Sequence, residues 1–388
     1  MIKTLTAYTS ELDDEKLAVE QIKSQLNIHS SLLKNTVGIV ACHYEFILSD
    51  IFAAICKEMP FDVAGTISSA QAVPGEKGAL LLTLMVLTSD EVEFKTVVTP
   101  SLLNEPSKTI IESYTAACEE KKSLKPSLIL TFAPFILQNC GDDYVNALNE
   151  ASGGAPCFGT LAVDDTLDFA NCFALANGEH HRDKMTMVLI YGELTPKFFV
   201  ANISETRIMS KAAKVTKSAG PLLIEVDERP VIDFLNDLGL VKAGGTQYAM
   251  SSLPFLLDYN DGTPKVSKIM AVLTPENHAL CAGAMPENST LYLTSTDKDD
   301  VMLTTAETVE DIYREAADGS ALLVYSCINR GMTLGSERFK EMELLNEKFS
   351  GKLFFMAASA GGEICPTQLS DKKAINRFHN NAFVACMI

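Results

Sequence analysis

Three short segments near the C-terminus gather the residue types best suited to recognising or transforming a small molecule. SCINRG at 326–331 carries Cys327 and Arg330, SAGGEICP at 359–366 carries Gly362 and Glu363, and RFHNNA at 377–382 carries His379, Asn380 and Asn381. A guanidinium holds a carboxylate through paired N–H donors, and a carboxylate such as Glu363 balances an ammonium. Neutral imidazole and amide side chains supply further donors and acceptors. Together these groups suit a zwitterion. The same residues also suit thiol chemistry, with Cys327 as nucleophile, His379 as base, and Glu363 or Asn380 orienting it. Each has a plainer use. Arg330 can pair with a structural carboxylate, Glu363 can cap a turn, His379 can be a satisfied core histidine and Cys327 a packed strand end. Asp164 with Asp165 forms a further acidic pair that suits either a ligand or a turn cap.

The elements that must position these residues repeat along the chain. VGIVAC (37–42) is followed by DIFAAICKEM (50–59) and DVAGTIS (62–68). LILTFA (128–133), DDYVNALNEA (142–151) and PCFGTLA (156–162) copy that order, as do LLVYSC (322–327), ERFKEMELLNEKF (337–349) and LFFMAAS (353–359). Each reads as apolar strand, amphipathic helix, apolar strand. The paired strand starts are 25, 28 and 31 residues apart, the span of a right-handed crossover joining parallel strands. A further apolar strand follows each unit, at 79–87, 185–192 and 382–388. Ligands in such units sit beyond the carboxyl ends of the parallel strands, where the three segments lie.

Ser10 and Asp13 predict the start of a helix through Val19, Ile22 and Leu26. The stretch from 196 to 320 lacks the repeat. KVTKSAGPLLIEVD predicts a hairpin turning at 218–221, Asp227 a cap for a helix stopped by Gly239 and then Gly244-Gly245, and 268–274, 278–285 and 290–296 antiparallel strands. The expected fold is therefore α/β (α+β), with mixed sheets built from repeated βαβ-β units. It divides into two closely packed domains, 1–210 and 211–388.

Composition narrows the partners. The 388 residues include 32 Lys plus Arg against 50 Asp plus Glu, a formal charge of −18. Nucleic acids and anionic membranes bind through Lys and Arg, so neither is expected as a partner. No apolar run is long enough to span a bilayer or serve as a secretion signal, and a cytoplasmic location is expected. The ten Cys show no CxxC spacing and read as reduced, buried residues, so no metal is expected. Adjacent His180 and His181 with Asp183 read as a surface loop, and Lys211, Lys214 and Lys217 as a solvated edge. No phosphate-binding glycine motif is present, and no cofactor is expected.

The segments CINRG, GGEICP and FHNNA, together with PCFGTLAVDD (156–165) and VTKSAGPLLIEVDERPVIDFL (215–235), resemble the FIST ("F-box and intracellular signal transduction") proteins from about residue 35 onward. The resemblance implies an N-terminal and a C-terminal FIST domain in a sensory, non-enzymatic protein. Such a protein binds a small ligand, for which amino acids have been proposed, and signals through a separate protein. Thr160, Glu287-Asn288 and Asn381-Ala382 depart from the pattern expected of that family. The expected ligand-binding residues are Arg330, Glu363, His379, Asn380, Cys327, Gly362 and Asp164, with no catalytic residue. A thiol enzyme using Cys327 and His379, or an interaction scaffold, is the alternative.

Overall fold

In a computed structural model, residues 2–122, 124–136, 139–166, 169–241, 253–317, 321–368 and 374–388 are described. The chain is built from three copies of one unit. The first runs β1 (Lys3–Thr9), α1 (Glu15–Leu26), α2 (Ile28–Ser31), β2 (Asn35–Cys42), α3 (Glu45–Leu48), α4 (Ile51–Glu58), β3 (Asp62–Ile67), the hairpin β4 (Gln71–Val73) and β5 (Glu76–Gly78), and β6 (Leu82–Ser89). The second runs β7 (Glu93–Val98), α5 (Pro106–Glu120), β8 (Leu128–Ala133), α6 (Gly141–Ser152), β9 (Cys157–Leu161), the hairpin β10 (Ala174–Ala176) and β11 (Glu179–His181), and β12 (Thr186–Tyr191).

The third unit opens with β13 (Lys197–Ala201) and is then interrupted. An inserted module follows: β14 (Ala213–Ala219), β15 (Leu222–Val226), β16 (Arg229–Pro230), α7 (Val231–Asp237), β17 (Phe255–Asp258), β18 (Val266–Lys268), β19 (Met270–Leu273), β20 (Ala279–Cys281) and β21 (Thr290–Leu293). The unit resumes with α8 (Lys298–Glu315), β22 (Ala321–Cys327), α9 (Ile328–Leu334), α10 (Lys340–Phe349), β23 (Phe354–Ala360), the hairpin β24 (Glu363–Gln368) and β25 (Ala374–His379), and β26 (Phe383–Met387).

The three expected parallel pairs form in register: Val37 opposite Asp62, Ile129 opposite Cys157, and Ala321 opposite Phe354. Each sits in a six-stranded mixed sheet, in the orders β1-β6-β2-β3-β10-β11, β7-β12-β8-β9-β24-β25 and β13-β26-β22-β23-β4-β5. The last two strands of every sheet are thus a hairpin lent by another unit. The second unit lends to the first, the third to the second, and the first to the third. This cyclic exchange binds the N- and C-terminal halves through shared sheets. One apolar cluster joins strands of all three units, including Ile39, Leu130, Phe132, Leu323, Tyr325 and Val384. Each such fully buried aliphatic or aromatic side chain contributes about 1.5–3 kcal/mol relative to an exposed one.

Local departures from expectation have local causes. Asp14 caps α1 by accepting from Lys16 N and Leu17 N, and the residues around Ser10 lead out of β1, which the pattern had not revealed. Asp227 adopts a left-handed backbone (φ 52°) and accepts from Lys214 N, so it closes the β14–β15 hairpin end and Pro230 takes the cap position of α7. The hairpin turn is confined to 220–221, with Ser218 and Ala219 of the expected turn still in β14, α7 ends before Gly239, and Gly244-Gly245 lies outside the described residues. SCINRG is helical from Ile328, which lifts Arg330 onto α9. Among the cysteines only Cys56 is more than marginally exposed, and none is in a disulfide. His181 is buried in β11 beside exposed His180. No described helix is long and apolar enough to cross a membrane.

Candidate functional site

The strand ends of the three units are tied together where the hairpins cross over. Ser359 N donates to Ala70 O at 2.9 Å, Val163 N to Ile67 O at 3.2 Å, and Gly361 N to Leu161 O at 2.9 Å. Ser68 Oγ adds a bond to Ser359 O at 2.9 Å. Above this junction opens a cleft of about 290 Å³, walled by Ser69, Asp165, Phe169, Met332, Arg338 and Ser359 among others. One acid and one guanidinium therefore face a space that also has apolar walls. Asp165 Oδ2 lies 3.3 Å from Nε2 of buried His43. Asp164 is fully buried and accepts from Thr166 N, Thr166 Oγ1 and Asn171 N at 3.1, 2.8 and 2.9 Å. It is the turn cap that presents Asp165, a local bond pattern typical of Asp.

Arg330 lies on α9 next to Gly331 of the cleft wall and is 1% exposed. Nε donates to Glu341 Oε1 at 3.0 Å, Nη2 to Val301 O, Thr304 Oγ1 and Thr305 Oγ1, and Nη1 to Asn381 O at 3.4 Å. Glu341 also accepts from Thr305 Oγ1 and Ser326 Oγ, both at 2.5 Å. The pair is a closed network that pins α8, α9 and α10 to the end of β22. Every guanidinium nitrogen already donates within the protein, and Glu341, the partner that completes the pair, was not singled out in the sequence.

Glu363 opens β24 opposite Thr160 of β9 and is fully buried. Its Oε2 accepts from Ala382 N at 3.2 Å, while Oε1 has no N–H or O–H partner; the Cys327 thiol stands beside the carboxyl. Burial raises the Glu363 pKa well above the ordinary carboxylate range, against the pull of the Ala382 amide, Cys327 and Arg330. Burial, then Glu363, raises the Cys327 thiol in turn. A thiol held protonated is a poor nucleophile. Gly362 has φ 150°, and a Cβ there would come within 2.3 Å of the Phe378 ring, so only glycine lets the hairpin enter the host sheet at this point.

His379 pairs with Glu363 across the hairpin, but its ring turns toward Cys365 O, at 3.1 Å from Nε2. Burial lowers its pKa to about 4, helped by Lys268 and Arg377 and opposed by the Cys365 carbonyl and Asp142. It is therefore neutral at pH 7, with Nε2 donating and Nδ1 unpartnered. The groups that shift His379 differ from those that shift Cys327. Asn380 donates from Nδ2 to His379 O, and its backbone N to Ser267 O at 3.2 Å.

Behind His379 lies a second charged cluster that sequence reading missed. Lys268, fully buried in β18 of the inserted module, reaches Asp142 of α6 with Nζ 3.1 and 3.0 Å from its two carboxylate oxygens, and donates to Phe378 O at 3.0 Å. Burial works against the Lys268 charge, but Asp142 and Tyr259 outweigh it and hold the pKa above its usual value. Ala284 N adds a 2.7 Å bond to Asp142. This is how the module is fastened to the second unit. Lys268 stands at the head of the apolar run 269–273, a signal that could have marked it. Among the described residues no group of three or more His, Cys, Asp or Glu is arranged to hold a metal.

The FIST N domain model matches residues 36–229 and the FIST C domain model residues 233–366. The match is to the two FIST domains, for which the F-box of the expanded name is a misnomer. No curated protein matches. Among solved structures, the chain is similar to a cyanuric acid hydrolase from A. caulinodans at 8% identity and a TM-score of 0.41, covering 100% of this chain and 99% of that one. A T. maritima PurL complexed with FGAR is similar at 10% identity and a TM-score of 0.19, covering 100% of this chain and 72% of that one.

Proposed function

This chain belongs to the FIST family, whose domains are sensory ligand-binding domains of signalling proteins, and from that premise we propose that it senses a small zwitterion in the cleft above the joined strand ends. The observation that supports this is the pairing of Asp165 and Arg338 on the walls of one cleft of about 290 Å³. Arg338 takes the ligand carboxylate, Asp165 its ammonium, and Phe169 and Met332 its apolar part. An amino acid has this chemistry and fits this volume. Arg330, Cys327, Gly362, Glu363, His379, Asn380 and Asp164 serve the site from beneath, by holding the strand ends and the Asp165 turn in place. The protein works in the cytoplasm, without catalysis, and passes its signal to a separate protein.

The experiment is a thermal-shift screen of the twenty amino acids and related small zwitterions. At a concentration 100 times Kd, a ligand that binds only the folded state stabilises it by about 2.7 kcal/mol. At least one compound is expected to raise Tm, and Arg338→Ala and Asp165→Asn are each expected to abolish the rise. A screen without a response, or a response that both variants retain, overturns the proposal.

A further inference from the structure

The threefold repeat provides an internal comparison. Cys42 and Cys327 are both the last residue of the first parallel strand of their units, paired with Ile67 and Ala360. Cys42 is sealed at 0% exposure, whereas Cys327 retains 4%. Four residues after Cys42 comes Phe46, fully buried in the same apolar cluster. Four residues after Cys327 comes Gly331. Where the first unit has an aromatic ring, the third has no side chain.

A small cavity of about 20 Å³, enough for one water-sized group, is lined by Val324, Cys327, Met342 and Leu345 on its apolar sides and by Ser326 and Glu341 on its polar one. Gly331, Arg338 and Ser359 wall both this cavity and the larger cleft. A Cβ built on Gly331 meets nothing nearer than Arg338 Cβ at 3.9 Å, so the position faces open space and its helical backbone accepts alanine.

We propose that Gly331 is a specificity-determining residue: it opens the floor of the cleft into a one-group annex ending at the Cys327 thiol, which admits a slim apolar terminus such as a methyl and excludes branched or aromatic ones. The assignment rests on the cleft being the ligand site. It also explains how a pocket with fixed charges at its mouth distinguishes among ligands that share the same zwitterionic head, since one methylene in a tight apolar pocket is worth roughly 10–200-fold.

The passage is tested by thiol access, which needs no knowledge of the ligand. Methyl methanethiosulfonate and its benzyl analogue are added to the folded protein, and the Cys327 and Cys42 peptides are quantified by mass spectrometry. The thiolate attacks the sulfenyl sulfur, a disulfide forms, and methanesulfinate leaves. Burial raises both thiols, and Glu363 adds to the rise at Cys327, so access is read from the methyl-to-benzyl ratio at each cysteine, in which the acidity of that thiol cancels. That ratio is expected to be at least about tenfold larger at Cys327 than at Cys42. Gly331→Ala is expected to bring the Cys327 ratio down to that of Cys42 without lowering Tm, since alanine favours the helix by up to about 1 kcal/mol. Ser359→Thr narrows the same passage from the β23 side and decides the matter if Gly331→Ala folds poorly. Equal ratios for Cys327 and Cys42, equal rates for the two reagents, or a Cys327 ratio that neither variant lowers would overturn the assignment. The zwitterion screen fails or succeeds on the wild type independently: a silent screen with selective Cys327 labelling sinks the sensor proposal alone, and a ligand found with Cys327 sealed sinks the annex alone.

Discussion

Acid should unfold this protein through His379, and the size of the effect follows from its surroundings. Full burial and the nearby Lys268 and Arg377 lower its pKa from 6.5 to about 4, while the unfolded chain keeps the ordinary value. A depressed histidine pKa contributes stability in full above pH 6.5 and loses it as pH falls through about 4, because the unfolded state binds the proton first. Over those roughly 2.5 pH units, at about 1.4 kcal/mol each, the loss reaches about 3 kcal/mol. His379→Gln isolates the effect, since the amide nitrogen can still donate to Cys365 O, now 3.1 Å from Nε2, but carries no titrating group. Urea unfolding of both proteins between pH 8 and pH 4 gives the difference in stability at each pH. That difference should move by about 3 kcal/mol in favour of the variant as pH falls. A difference that stays constant across the range would show that His379 titrates normally and that its buried, neutral placement is wrong.

Three further outcomes are expected. Glu363 carries the opposite sign: its raised native pKa gives stability that is complete below about pH 4.3 and is lost as pH rises, at up to about 1.4 kcal/mol per unit. Glu363→Gln should remove that slope in urea titrations above pH 4.3, and an unchanged slope would place the carboxyl in water. Arg330→Ala leaves Glu341 as an uncompensated buried charge and should cost about 3–5 kcal/mol, of which Arg330→Met with Glu341→Gln restores a large part; a cost under about 1 kcal/mol for the single change would refute the network. Gly362→Ala must displace the Phe378 ring and hold alanine at a positive φ, so a denaturant midpoint lower by about 2 kcal/mol or more is expected, and a neutral result would contradict the close approach.

Much of the scaffold was legible because its signals are local. Apolar runs such as LILTFA and LFFMAAS, each set beside an amphipathic stretch at crossover spacing, declare buried parallel strands without reference to anything distant. Short elements were not legible. QAV and ALA form strands because another unit's sheet edge receives them, EHH pairs only with ALA of its own hairpin, and β1, β7 and β13 lie at or beyond the limits of the repeat as the pattern displayed it. The inserted module separates β13 from α8 by nearly a hundred residues, which hid the start of the third unit. The chemistry-bearing segments were found, and the structure sets Cys327 and Arg330 near Glu363 while the His379 ring turns to Cys365 O. Their open neighbour Arg338 sits on an ordinary polar stretch with nothing to mark it.

By itself, then, the sequence determined the family, the three parallel strand pairs and the strand ends at which polar residues collect. These follow from periodicity and local residue type, which act over a few residues. Tertiary structure alone decided which of those polar groups are closed off within the protein. Arg330 is closed off because Glu341, Val301, Thr304, Thr305 and Asn381 arrive from other elements to take its donors, and Arg338, eight residues later, keeps its place on the cleft wall. Whether a charge is a fastening or a receptor depends on partners distant in the chain, and only the folded arrangement supplies them.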